Sequence, residues 1–163
     1  MRRSVYVETS IISYLVGWLH PRDLIVAANQ KLTRDWWAKR RHDFALFTSS
    51  VVVIEAKRGD PARAAERLEL LAETTILEGT GAASDLAEVL LRETRIPRKA
   101  ELDALHIALA AIHRMDYLLT WNCRHIANAN TLPSVNDVCR AAGYDPPLIC
   151  TPQELLAEEV PDV

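Results

Sequence analysis

Cysteine is scarce in this chain of 163 residues: Cys123, Cys139 and Cys150 are odd in number and far apart, and no C-x-x-C pair occurs. That pattern speaks against a disulfide framework, and reduced thiols in the cytoplasm fit it better. Cys123 and His125 would suggest two zinc ligands, but no second pair completes a set. A Walker-type glycine loop is also missing, and the first apolar segment carries no Asp-x-Asp pair, so phosphate-loop kinases and aspartate-nucleophile phosphatases fit poorly. Long apolar runs are lacking too. "IISYLVGWL", residues 11–19, is too short to span a bilayer, Glu8 interrupts the stretch ahead of it, and no small-residue cleavage site follows Arg2-Arg3. The expectation is a cytoplasmic protein with no membrane association and its amino terminus retained. Repeats and low-complexity segments are absent, and the linker-like features are short turns such as "RGDP" at 58–61 and "EGTG" at 78–81.

What is present reads as a single domain over residues 1–163, long enough for a substantial core, with the apolar and charged content of an ordinary globular protein. Nineteen basic and 22 acidic residues give a formal charge of −3, which exerts no overall pull on nucleic acid. Acidic residues gathered around a metal ion would reverse that sign locally. Charge is uneven along the chain. Between residues 22 and 42, Arg22, Lys31, Arg34, Lys39, Arg40 and Arg41 face only Asp23 and Asp35, whereas the tail carries Glu154, Glu158, Glu159 and Asp162. The basic segment is either a solvated helix face or a surface for RNA or a partner.

Apolar patterning alternates strand and helix. Residues 4–9 read as a buried strand, 10–19 as a helix, and 22–42 as a long amphipathic helix in which Leu24, Ala27, Ala28, Leu32 and Trp36 recur at steps of three and four. Residues 44–49 form a second strand. The segment after it is ambiguous: residues 51–54 are β-branched and suit a strand, yet Ser49 or Ser50 could cap a helix that Gly59 ends. Further on come a helix at 61–73, a strand at 74–79, helices at 81–94 and 98–114, a strand at 116–122, a helix at 133–143, a strand at 147–152 and a closing helix at 152–159. Strands separated by helices imply parallel pairing, hence a three-layer α/β/α sandwich around a mostly parallel sheet. Ligands bind such sheets at the carboxyl ends of the strands, where Glu8 and Asn122 fall.

Glu55 follows the second strand closely, and Asp103 lies on a helix whose Leu102, Leu105, Ala108, Leu109 and Ile112 form an apolar face. His106, three residues beyond Asp103, points to roughly the same side, at the margin of that face. Singly, each acid has an ordinary reading: a solvated strand end, a surface helix residue, or a first-turn carboxylate complementing the helix dipole. Together, Glu8, Glu55, Asp103 and Asn122 make an oxygen-only set of the kind that suits Mg2+ or Mn2+.

The blocks "VYVETSIISYL", "TSSVVVIEAKRGD", "DALHIALAAIHRMDYLLTWNCRHIAN" and "ICTPQELL" resemble, in order and over nearly the whole chain, those of PIN-domain proteins, and most closely the VapC-like toxin branch of bacterial toxin–antitoxin systems. The run from 103 to 128 is the most distinctive. The resemblance implies a metal-dependent ribonuclease, often a homodimer, silenced by a cognate antitoxin. Its four acidic positions fall on Glu8, Glu55, Asp103 and Asn122, and residues 50–58 are then expected to be helical. Glu8 stands where the family commonly has Asp, one methylene shorter, and Asn122 replaces a carboxylate by a neutral amide. Three carboxylates instead of four imply weaker ion affinity and one ion instead of a two-metal clamp.

In that scheme Glu8, Glu55 and Asp103 hold the ion, Asn122 is an auxiliary ligand, and Thr9 and Thr120 hydrogen-bond the ligand carboxylates. His106 is either a site-edge residue or a packed one, and His125 either meets phosphate or is a loop residue without a role. Arg34, Lys39, Arg40 and Arg41, or Arg98 and Lys99, would contact flanking phosphates. Trp36, Trp37 and Trp121 either stack on bases or pack. The competing expectation is a PIN-like domain that no longer cleaves and serves as an RNA- or protein-binding module.

Overall fold

The computed structural model describes residues 1–157. Five short strands form one sheet: β1 (Ser4–Val7), β2 (Ala45–Ser49), β3 (Thr75–Leu77), β4 (Tyr117–Leu119) and β5 (Leu148–Cys150), in the order β3-β2-β1-β4-β5. Every pairing is parallel, with Tyr6 of β1 aligned to Phe47 on one side and Leu118 on the other. A central strand buried on both faces must be apolar throughout, and Val5, Tyr6 and Val7 are fully buried. Helices complete the sandwich: α1 (Thr9–Leu15), α2 (Leu24–Lys39), α3 (Ser50–Ala56), α4 (Pro61–Leu71), α5 (Gly81–Glu93), α6 (Glu101–Ile112), α7 (Leu132–Ala141) and α8 (Pro152–Leu156). Among the described residues, no helix is long and apolar enough to cross a membrane.

The strand order reverses direction of winding between β1 and β4. Parallel sheets open a crevice at such a switch point, outside the carboxyl ends of the two strands. Here that crevice is framed by Glu8, directly after β1, and Thr120–Trp121–Asn122, directly after β4.

Two differences from the sequence expectation, and the outcome at one segment that local propensity left ambiguous, have local causes. First, α1 stops at Leu15 instead of residue 19, because Gly17 takes a positive φ of 78° and the Arg34 guanidinium holds the Tyr14 and Gly17 carbonyls at 3.3 and 2.7 Å. Second, the ambiguous β-branched residues 51–54 are helical, as the family resemblance implied. Ser49 caps α3 and only Val52 of the four is fully buried, so the chain leaves the sheet at Ser50 despite its local strand preference. Third, α6 is enclosed almost all round. Its alanines 104, 108, 110 and 111 permit close approach to the sheet and to α5, so His106 lies in the interior and not at the margin of a face. The closing helix expected at 152–159 is seen as α8 to Leu156, and Glu158 and Glu159 lie outside the described residues.

Asp23 caps α2, its carboxylate accepting from the backbone N–H groups of Ile25 and Val26 at 3.0 and 3.1 Å. Asp23→Ala is expected to destabilise the protein by about 1 kcal/mol, read as a lowered urea midpoint at unchanged m-value.

Candidate active site

Glu8 ends β1 and opens α1 as its N-cap, the extended backbone there letting the side chain fold back onto the helix start. Glutamate is not a preferred cap, but its reach allows Oε2 to accept from the Ser10 N–H at 3.1 Å, from the Ser10 hydroxyl, and from the Thr120 hydroxyl at 2.7 Å. Ser10 Oγ also accepts from the Trp121 N–H at 2.8 Å, which ties α1 to the segment after β4. Glu8 is only 5% exposed and forms no ion pair with a cation of the described residues.

From Glu8 a row of hydrogen bonds crosses the crevice. Thr120 Oγ1 accepts from the Asn122 N–H at 2.9 Å, Asn122 Oδ1 accepts from the His125 N–H at 3.0 Å, and His125 Nδ1 meets Asp103 Oδ2 at 3.0 Å. The Asn122 contact is an Asx-type turn that shapes the loop bearing His125 and leaves the amide oxygen one further lone pair. On the other side, Glu55 Oε1 accepts from the Thr9 hydroxyl at 2.9 Å and meets His106 Nε2 at 2.7 Å. The two hydroxyl residues beside the strand ends, Thr9 and Thr120, thus each hold one carboxylate.

Each of the three carboxylates spends one oxygen on partners within the protein and leaves the other, Glu8 Oε1, Glu55 Oε2 and Asp103 Oδ1, without a hydrogen bond among the described residues. That division fits the chemistry of a bound cation: one oxygen fixes orientation, the other remains a donor.

The family profile of the PIN domain matches residues 5–128, more than half of the chain. The chain belongs to the PIN-domain family. Among solved structures, VapC20 of Mycobacterium tuberculosis, described as a sarcin-ricin loop cleaving toxin, gives a TM-score of 0.56 at 16% identity, covering 86% of this chain and 95% of that one. VapBC2 of Rickettsia felis, bound to a DNA fragment from their promoter, gives 0.49 at 14% identity over 91% and 98%. No curated protein matches the chain. At such identities the first likeness concerns the fold, and it agrees with the parallel five-stranded sheet of this PIN domain.

PIN nucleases generally use divalent ions, and the donors here are hard oxygens of the kind such ions take. Among the described residues, no three Asp, Glu, His or Cys side chains already stand close enough to enclose an ion. Mg2+ does not need a closed cage, because it usually keeps several waters and takes one or two carboxylates. A buried Glu8 without a cationic partner adds a second reason why a cation fits, since a desolvated carboxylate is costly unless its charge is met.

Burial alone would raise the Glu55 pKa, but the hydrogen bonds from His106 and the Thr9 hydroxyl and the charge of Arg58 outweigh it, holding Glu55 below the ordinary glutamate value. A carbon-detected carboxyl titration is expected to put its midpoint below 4.5. With the folded value lower than the unfolded one, the stabilisation is complete above the unfolded value and is lost as pH falls through the folded one. A midpoint above 4.5 would show burial winning over its partners.

The basic residues of α2 are placed differently from expectation. Arg40 pairs with Asp43 and reaches the Leu156 and Ala157 carbonyls, while Arg41 pairs with Glu73 and stacks on Trp37. Both precede β2, and with exposed Lys39 they lie at the amino edge of the sheet, opposite the carboxylates, because the last turn of α2 delivers the chain to the start of β2. Arg34 is occupied with the α1–α2 loop, and Arg98 pairs with Glu88 beside exposed Lys99 in the turn before α6. Cations near the PIN carboxylates in sequence and exposed are Lys57 and Arg58 after Glu55, and Arg124 after Asn122. Trp36 and Trp37 are buried, and Trp121 stacks on Tyr14 and donates from Nε1 to Thr33 Oγ1 at 2.6 Å, so all three pack within the protein.

Residues that sequence reasoning missed are Ser10, Ser49 and Tyr6. Ser10 carried a signal, a second hydroxyl beside the strand-end acid. Tyr6 carried none, since it sits inside an apolar strand pattern, and Ser49 was legible only as a helix cap.

Proposed function

We propose that this PIN domain is a metal-dependent endoribonuclease that hydrolyses RNA phosphodiester bonds with Mg2+ or Mn2+, and that it is the toxin of a type II toxin–antitoxin pair. The observation that carries this reading is the hydrogen-bonded row joining Glu8, Asn122 and Asp103 across the β1/β4 crevice, with one oxygen of each carboxylate left to a ligand. Glu8, Asp103 and Glu55 hold the ion, directly or through water, and Asn122 adds its amide oxygen. When bound, the ion offsets charge building on the phosphate and lowers the pKa of a water. Asp103, fixed through Oδ2 by His125, uses Oδ1 to accept a proton from the attacking water and keep it in line with the scissile bond. Lys57, Arg58, Lys99 and Arg124 position the strand through its phosphates. The likeness of the sequence blocks to the toxin branch supports a cognate antitoxin and a cytoplasmic homodimer.

RNA incubated with the purified protein and Mn2+ is expected to be cleaved, and chelator is expected to stop it. Cleavage indifferent to chelator, or none at all in either metal, would overturn the reading. One observation favours a second reading, a domain that binds RNA or protein without cleaving: Asn122 supplies no charge and already spends a lone pair on His125. Calorimetry separates the two. No heat of divalent-ion binding at millimolar concentration, with RNA binding intact, selects the binding module.

A further inference from the structure

Beneath Glu55 lies an unbroken row of side chains that the proposed chemistry does not use. Ser49 Oγ stands 2.7 Å from the Tyr6 phenol oxygen, which stands 2.7 Å from His106 Nδ1, and Nε2 of the same ring stands 2.7 Å from Glu55 Oε1. Ser49, Tyr6 and His106 are completely buried, so water does not share these bonds. The Tyr6 and His106 rings meet edge to face at 62°.

Hydrogen-bond bookkeeping fixes the direction of the row. Glu55 Oε1 already accepts from the Thr9 hydroxyl, so it faces His106 as an acceptor and the proton between them belongs to Nε2. In a neutral ring Nδ1 is then an acceptor, and the Tyr6 hydroxyl donates to it. The Tyr6 oxygen accepts the Ser49 hydroxyl proton, and Ser49 Oγ accepts from the Val52 N–H at 3.4 Å. Every proton has one place. A proton on Nδ1 would turn the Tyr6 hydroxyl toward Ser49 and strand the Ser49 proton, since no other acceptor among the described residues meets that hydroxyl.

We propose that His106 is a positioning residue for Glu55: the Tyr6 phenol locks the ring as its Nε2–H tautomer, which pins Oε1 and leaves Oε2 as the oxygen available to a ligand. The role of Glu55 in RNA cleavage rests on the function proposed above, whereas the tautomer does not. Metal-ligating groups are commonly oriented by such partners, and a ring fixed from both sides cannot rotate to release the carboxylate.

Two-bond proton–nitrogen correlation of the imidazoles in the whole metal-free protein, at neutral pH, tests this. One of the five histidines, identified by its disappearance in His106→Gln, is expected to show a protonated Nε2 and a bare Nδ1. Tyr6→Phe removes the donor to Nδ1 and is expected to speed Nε2–H exchange about five- to tenfold. The Glu55 carboxyl resonance is expected to stay in place in His106→Gln, whose amide can still donate, and to move in His106→Leu. A ring protonated on Nδ1, alone or together with Nε2, overturns the proposal, and so does a Glu55 resonance indifferent to His106→Leu. If a variant does not fold, the wild-type spectrum decides, with His106 assigned through its proximity to Tyr6. Wild-type protein that shows the Nε2–H tautomer yet never cleaves RNA supports the positioning of Glu55 and overturns only the nuclease reading.

Discussion

Asp103→Ala is expected to lower Mn2+-supported RNA cleavage by about two orders of magnitude or more, the scale on which removing one preorganised charged group from a hydrolytic site acts. The variant should nevertheless fold. Asp103 is half-buried in the first turn of α6, and among the described residues its side chain has one hydrogen-bond partner, His125. His125 keeps its backbone bond to Asn122 Oδ1, so the loop after β4 is not released. On the proposed function, what is lost is the oxygen that orients the attacking water and one of the three negative charges offered to the ion. The stability cost is expected to stay within about 1 kcal/mol, the range of a partly exposed His–Asp contact. Initial rates beside a urea melt check both halves. Cleavage at the wild-type rate in a well-folded variant would remove Asp103 from the site.

Leu118→Ala is expected to carry the largest stability loss, about 2–5 kcal/mol. Leu118 lies at the centre of β4, fully buried, with Tyr6 beside it in the pairing register and Ile149 on the other side. Truncation deletes three carbons where the sheet is covered by helices on both faces, and parallel strands held between two neighbours cannot collapse into the gap. Since domains of this size are stable by about 5–15 kcal/mol, the loss approaches half of the total. β4 also delivers Thr120 and Asn122, so, on the proposed function, metal and RNA binding should weaken as the denaturant midpoint falls. A midpoint unchanged in urea would contradict the placement of Leu118 in the core.

The scaffold was legible because periodicity carries it. Apolar runs of strand length alternating with helical spacing led to a parallel sheet, and Glu8 and Asn122 at the ends of the first and fourth strands marked its carboxyl edge. Local propensity failed where tertiary context overrode it. Residues 51–54 favour a strand by type and are helical, because the sheet had no place for them beyond Ser49. The helix after β1 was read four residues too long, because Gly17 in a left-handed conformation ends it sooner than its apolar neighbours suggest.

The site was legible as a set of strand-end positions but not as a set of contacts. Tyr6 and His106 are 100 residues apart, and Tyr6 and Ser49 are 43 apart, so no local pattern announces their bonds. The burial of His106 depends on alanines that let α6 approach the sheet, a packing property and not a periodicity. Arg40 and Arg41 looked available for phosphate because a linear sequence does not say to which edge a helix delivers its last turn.

Anomalous scattering from a crystal soaked in Mn2+ tests the central claim most directly. The expected result is a single peak in the β1/β4 crevice, bordered by Glu8, Asp103 and Asn122. A peak elsewhere, or none at an ion concentration that supports RNA cleavage, would contradict it.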